Sequence, residues 1–516
     1  MMDRWTMASS VTDLFQSLLR VAGWGGLAGF VYVRTTNPRA VVVALCIHRL
    51  YFHPLAKYPG PWLAKLTSWR AVYYGPIVRY APHRVIFASS TGFHDIYGFG
   101  KNVQKSPSYH SIGLRKGFSS TLTAVDNKVH GRKRRILSQG LSDQNLKLLE
   151  PTLLRTVDRL CSRLAERQDD FSPAYQTTDD GWTCPKNMSE WCDYYTFDVM
   201  TELVFGRSLH ALEKPDYHFI LDDMLAQMRR VSILTELPAI EPLGLGRFVY
   251  PGALQKAMRF GRTSQMIVEE RRKSPPSDGV VDICSKLLAA KDPNTGEGFP
   301  APELYAESNL LIVAGSDTTS IAMAATFFYL TRYPDALATA TAEIRSTFAD
   351  VQDIRPGVTL SSCTYFRACL DEAMRLTPSV GGALWREVLA GGTTIDGELI
   401  PEGMEVGAGI YALHHDEAVF PEPSVFRPER WLEKTTSASS SFAPFSVGPR
   451  ACVGKGLAVM EFTVAMARVL WRFDMRAADG QLGRVGEGTG DREGEYETRW
   501  CFTSMKDGPF LQFRVR

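Results

Sequence analysis

The sequence predicts a mainly α fold with a minor β portion, built as one large domain. Three observations carry this. From about residue 140 onward apolar residues recur at helical spacing, and strand-like runs are confined to about 384–411 and the C-terminus. No repeat of fixed period is visible, which removes solenoids and propellers. No stretch between residues 60 and 516 has the composition of an interdomain linker.

The elements follow in chain order. Leu14 to Val33 is mostly apolar and long enough to cross a bilayer, whereas the second apolar run, Ala40 to Ile47, is too short alone. Arg34, Arg39, Arg49, Lys57 and Lys65 all follow the first run, so the positive-inside rule puts the body on the cytosolic side. Residues 1–49 are therefore read as a single-pass anchor region and 50–516 as the folded body. There the sequon at Asn187 never meets the glycosylation machinery. Pro54, Pro59 and Pro61 make HPLAKYPGPWLAK a stiff connector, and its Leu55, Tyr58 and Trp62 point to packing. The longest helical pattern opens at Pro302 and stops at Tyr333 before Pro334; others run from Pro334 to about Phe348 and from about Thr364 to Leu376. Thr435–Ser441, low in complexity, reads as a loop, and so does 480–495.

Composition bounds the function. A chain that is 45% hydrophobic and 22% charged is globular rather than disordered. Its net charge of +2 gives no general attraction to nucleic acid, and none is expected as a partner. Nine cysteines in 516 residues are too few for a disulfide scaffold and fit reduced thiols.

Four short segments carry chemistry. In Phe445-Ser-Val-Gly448-Pro-Arg450-Ala-Cys452-Val-Gly454 a cysteine precedes an apolar helix, where outward N–H groups favour a thiolate. Its glycines would let the backbone approach the sulfur. The chain has no CxxC pair, which disfavours zinc, and the glycine spacing does not fit a phosphate loop. Glu372 and Arg375 share a helical face, and Arg430, beside Trp431, is placed to close a buried structural lock on them. Ala314-Gly315-Ser-Asp317-Thr318-Thr319 is a poor helix interior between apolar flanks, and such a break marks function or strain. It would hold an acid and an alcohol side by side, suited to relaying protons. In the basic run 128–135, His130 and Arg134 share a side and could grip an anion; the rest reads as a solvated face, free for an acidic partner.

In this order AGSDTT, ExxR, FRPERW and FSVGPRACVG make the chain resemble the cytochrome P-450 haem-thiolate monooxygenases, with Cys452 lying 77 positions after Arg375. The resemblance covers about residues 50–516 and is nearest to membrane-bound members from filamentous fungi. It implies haem b (iron protoporphyrin IX) with Cys452 as the iron ligand and Phe445 packed beneath the ring. It gives the propionates to Arg450, Arg386 and the pair His130 and Arg134, although the family usually has tryptophan where His130 stands. Asp317 and Thr318 match the acid and alcohol beside the oxygen site. The implied activity is hydroxylation or epoxidation of an apolar small molecule, a fungal terpenoid or polyketide, with O2. The chain has no nicotinamide or flavin fingerprint, so an NADPH-dependent cytochrome reductase would supply two electrons at the endoplasmic reticulum membrane. Pocket positions are expected in loops around 107–124, 216–250 and 380–384. Two alternatives use the same cysteine: an isomerase or dehydratase needing no electrons, and a haem sensor.

Overall fold

A computed structural model describes residues 46–58, 77–113, 119–171, 175, 180–240, 244–273, 282–433 and 436–516. The expected anchor at 14–33 lies outside the described residues, as do Pro59, Pro61 and Trp62 of the connector. With 56% helix against 11% strand, the fold is mainly α with a minor β portion.

The described residues fall into two compact units, one of residues up to 106 with 383–409 and one of 107–382 with 410–516. The smaller holds helix α1 (Ser90–Tyr97) and strands β1 (Ile77–Ala81), β2 (Arg84–Phe87), β3 (Val103–Lys105), β4 (Arg386–Val388) and β5 (Glu405–Ala408). They form one sheet in the order β1-β2-β5-β4-β3, with β2 and β5 parallel and Val85 opposite Val406. Strands β1 to β3 carry no clear alternation and were not legible in the sequence. Glu405 ties the sheet together, accepting from Arg84 Nε at 2.6 Å and Ser106 Oγ at 2.5 Å. A separate hairpin, Thr393–Ile395 with Glu398–Ile400, turns through Asp396 and Gly397, both at positive φ as a tight two-residue turn requires. Leu55 and Tyr58 of the connector are buried, as their apolar character predicts.

The larger unit is built on α2 (Asn127–Gly140), α3 (Asp143–Ala165), α4 (Met188–Phe205), α5 (His218–Glu236), α6 (Ala253–Lys273), α7 (Ala301–Arg332), α8 (Pro334–Thr347), α9 (Thr364–Leu376) and α10 (Lys455–Arg472). The proline-bounded helices match their expected limits to within a residue, α9 at both ends. Residues 218–236, expected within a pocket loop, are instead the amphipathic helix α5. The low-complexity segment is also helical over Thr436–Ser441, since serine lowers helix propensity without forbidding it. A small sheet sets β9 (Phe510–Val515) between β6 (Phe473–Ala477) and Lys186–Asn187, and β7 (Arg499–Cys501) pairs with β8 (Thr503–Met505).

Helix α4 is buried on nearly every side, as a helix apolar all round must be. The sequon asparagine caps it, with Asn187 Oδ1 accepting from Ser189 N at 3.1 Å. Helix α7 packs along α4 and is long and apolar enough to cross a membrane, with mean hydropathy 1.4, yet 67% of its apolar window is buried within the protein. It is a core helix. Gly315 is explained by this packing, because an added Cβ would come within 2.5 Å of Met200 Cε and 2.9 Å of its Cγ. Gly315→Ala gains helix propensity but overpacks the crossing, at a net cost of about 1–2 kcal/mol. Combined with Met200→Ala it should destabilise by less than the sum of the two single changes, measured by denaturant unfolding. Strict additivity would mean that the two side chains do not meet.

Candidate active site

The cysteine loop shapes itself before any ligand is considered. Cys452 N–H donates to Phe445 O at 2.9 Å, and the backbone between turns through Ser446 and Gly448, both at positive φ. Gly448 is needed for that conformation. Gly454 is not needed for a close approach, because a Cβ there would lie 3.9 Å from Cys452 Sγ, an ordinary contact; the expected reason for this glycine does not hold. Gly454 caps α10, and its N–H faces the sulfur, as the position before a helix predicts.

Of the nine cysteines, Cys452 is the exposed one. Its sulfur is open on one side and crowded by protein on the others. That crowding raises the thiol's pKa, against the pull of Gly454 N–H, Arg134 and Lys455. A coordinated metal would deprotonate it outright. In the middle of the largely buried α7, Ala314 is likewise accessible. An open thiol, an accessible alanine and the half-buried Phe445 ring fit the apolar faces and soft-ligand demand of a haem, and Arg134 and Arg450 fit its carboxylates.

Those cations border the cysteine loop. Arg134 donates to Ala451 O at 2.6 Å, and Arg450 to Ala124 O at 2.5 Å, Val125 O at 2.8 Å and Asn127 Oδ1 at 2.9 Å. His130 is buried one turn before Arg134 on α2. Arg386 lies in the smaller unit, where it donates to Leu384 O at 3.0 Å and sits over the Tyr97 ring; its expected role stays with the resemblance. The basic run is a solvated face only at Lys128 and Arg135. Lys133 is wholly buried, 2.9 Å from Glu303 Oε1; Arg132 also pairs with Glu303, and Arg135 with Asp292 at 2.8 Å.

On α7, Thr318 Oγ1 donates back to Ala314 O at 2.7 Å, the local bond expected of a mid-helix threonine, and Ser379 Oγ donates to Thr318 O at 2.7 Å. Asp317 turns towards the β7–β8 hairpin. Its Oδ2 is sealed from solvent without a hydrogen-bond partner, and burial raises its pKa to about 6 against Lys506 and Thr503. The sequence reading missed Glu307, a wholly buried acid on α7. It accepts from Thr121 N at 2.6 Å, and burial lifts it to about 7 despite Lys133. With Glu303 one turn before it and Ser308 and Asn309 directly after it, Glu307 reads as part of a polar stretch, and nothing in the sequence marks it as buried. Ser379, Thr503 and Lys506 carried no signal either, being far from Asp317 in sequence.

The lock is a full network. Glu372, wholly buried, accepts from Arg375 Nε and Nη2, Arg430 Nε and Trp431 Nε1 at 2.9 Å each, and from Arg427 N at 3.0 Å. Arg375 Nη1 also donates to His414 O and Pro423 O at 2.8 Å.

The family model described as Cytochrome P450 matches residues 63–484. The chain is 44% identical to the Cytochrome P450 monooxygenase apf7 of Gibberella fujikuroi, over 92% of this chain and 96% of that one. It is 37% identical to AKT7 of Alternaria alternata (94% and 98% covered) and to atnE of Emericella nidulans (91% and 94%), both also called Cytochrome P450 monooxygenase. The crystal structure of the cytochrome P450DA heme domain superposes with a TM-score of 0.64 at 21% identity, covering 84% of this chain and 88% of that one, which shows the fold. With the family model spanning most of the chain, the protein belongs to the Cytochrome P450 family, haem b-binding haem-thiolate oxidoreductases that incorporate oxygen.

Proposed function

We propose that residues 1–49 anchor the protein in the endoplasmic reticulum membrane and that residues 50–516 form the haem-thiolate catalytic domain on its cytosolic side. The enzyme hydroxylates or epoxidises an apolar small molecule of fungal secondary metabolism, a terpenoid or polyketide, using O2 and two electrons from an NADPH-dependent cytochrome reductase. One observation carries this reading: a single exposed thiol, Cys452, accompanies an intact acid and alcohol, Asp317 and Thr318, on the core helix. The fungal relatives bearing the monooxygenase name support it.

When bound, haem b supplies the oxygen-activating chemistry, which thiolate ligation favours. Cys452 would hold the iron, Phe445 would pack against the ring, and His130, Arg134 and Arg450 would hold its carboxylates. Asp317 takes up protons, since its raised pKa lets it exchange them near neutral pH. Thr318 holds a proton at Oγ1 by its bond to Ala314 O, in position to pass it on.

Substrates are found by titrating the purified, haem-loaded protein with apolar metabolites and following the absorption shift. With a substrate so identified, Thr318→Ala should keep haem and substrate binding but lose product relative to peroxide, by tenfold or more. Losing one hydroxyl costs only about 1 kcal/mol of stability, so unfolding cannot explain the change. Asp317→Asn should slow turnover at the same step. NADPH consumed is compared with product and peroxide formed. Unchanged coupling in both variants, or conversion without O2 and reductant, would overturn the reading in favour of an isomerase.

A further inference from the structure

A groove of about 620 Å³ opens on the larger unit, lined by none of the residues placed in the active site. It forms where the end of α3, the end of α10 and the paired strands β6 and β9 meet. The antiparallel register sets Val515 opposite Phe473, and Arg516 N donates to Arg472 O at 2.9 Å, so the end of β9 lies beside the end of α10. Ala165, Val351, Phe473 and Val515 give the groove an apolar wall. The half-buried Trp471 adds a ring, its Nε1 already held by Phe348 O at 2.9 Å. The charge around this wall is one-sided. Arg468 Nη1 and Arg472 Nη2 share one carboxylate oxygen, Asp158 Oδ1, at 2.8 and 2.9 Å. Arg468 Nη2 and Arg472 Nε are sealed from solvent without an acceptor. Arg516, exposed, lies 5.1 Å over the Trp471 ring and pairs with no carboxylate among the described residues. Cys161, which lines the groove and faces Arg468 and Arg472, is no counter-ion, because burial pushes its thiol up to about 12. Three guanidiniums thus meet one carboxylate, and buried donors without acceptors call for a missing partner.

We propose that this groove binds a small organic acid, its apolar body against Val351, Trp471 and Val515 and its carboxylate or phosphate between Arg472 and Arg516. The volume is that of a small-molecule site. A guanidinium's planar fork meets either oxyanion with two parallel N–H···O bonds, which a lysine could not supply. Arg468, wholly buried, adds positive charge from behind the groove without touching the ligand. Asp158 is held by both inner arginines, so it steadies Arg472 and leaves Arg516 free for the anion. A neutral molecule of the same shape would gain the apolar contact alone, so the groove selects by charge.

The test uses the full-length, haem-loaded protein with phenylimidazole saturating the haem pocket, so that the probes report on other sites. Isothermal titration calorimetry follows naphthoate, naphthyl phosphate, neutral naphthol and inorganic phosphate. At least one of the two aromatic anions should bind, the tighter of them showing which oxyanion the groove prefers. Naphthol and inorganic phosphate should each bind about tenfold more weakly than that anion, one lacking the charge and the other the apolar body. Arg516→Gln, at an exposed position where folding is not at risk, should weaken the anion about tenfold and leave naphthol unchanged. Arg472→Gln should do the same, with circular dichroism to show that loss of its bond to Asp158 leaves the fold intact. Ala165→Trp, which fills the groove without changing its charge, should abolish binding. Wild-type affinity in both Arg516→Gln and Ala165→Trp would overturn the proposal, as would the absence of binding by either aromatic anion. Inorganic phosphate binding as tightly as the aromatic anions would overturn the assignment to an organic acid.

Discussion

Cys452→Ser should yield a protein that lacks the thiolate-type absorption band of the reduced carbon monoxide complex and has monooxygenase turnover at background. A serine hydroxyl ionises far less readily than a thiol and is a hard ligand where a soft one is needed. No other sulfur can step in, since six of the remaining cysteines are buried and Cys46 and Cys501 are partly so. The exchange of sulfur for oxygen is nearly isosteric and the site is accessible, so the fold should persist, checked by circular dichroism. Spectra of the reduced protein under carbon monoxide, with haem per chain measured in parallel, decide the matter. A variant that keeps the thiolate band removes Cys452 as ligand and with it most of the functional reading.

The second large effect lies away from the chemistry. Glu372→Gln keeps the size of the side chain but removes the negative charge that two buried guanidiniums share. Arg375 is wholly buried and Arg430 nearly so, and neither has another carboxylate within bonding distance among the described residues. Breaking a buried ion pair by removing one partner costs about 3–5 kcal/mol, against a total stability of roughly 5–15. The expected result is little or no soluble haem-loaded protein, read as the ratio of haem absorbance to total chain and as an earlier unfolding midpoint in denaturant. Arg375→Lys tests the geometry separately. It retains the charge but cannot make the paired Nε and Nη2 bonds, so it should destabilise as well. A Glu372→Gln protein with an unchanged midpoint would mean that backbone carbonyls such as His414 O hold the arginines unaided.

What could be read from the chain beforehand was local. Helices α7, α8 and α9 were placed because prolines punctuate them, and the thiol was placed because glycines and a following helix surround it. The lock was legible in its members, Glu372, Arg375, Arg430 and Trp431, since residue type and helical spacing mark them. Long-range pairing was not. Lys133 reads as a surface residue among basic neighbours until Glu303 and Glu307, some 170 positions on, are folded against it. Gly315 looks like strain at a reactive site until Met200 is seen to lie against it, and the packing supplies the reason. Helix α5 was passed over because its segment was assigned to a pocket loop at 216–250, and its helical spacing, broken by buried Asp223, Gln227 and Arg230, is not cleanly apolar. The notch gave its residues but not their directions, for Asp317 and Thr318 turn to different neighbours.

The basic run bears on how the protein meets an electron donor. Arg132 and Lys133 spend their charges on Glu303, with Glu307 nearby, and Arg135 spends its charge on Asp292. Arg134 is turned inward to a carbonyl, and the exposed cations of the segment are Lys128 and the Asp292-paired Arg135. Beyond a Debye length, about 8 Å at physiological ionic strength, the paired charges largely cancel, so a stretch that looks strongly cationic on paper projects little field. Electrostatic steering of an acidic protein towards this face would thus be weak. Any steep salt dependence of its association rate must come from other surface charges.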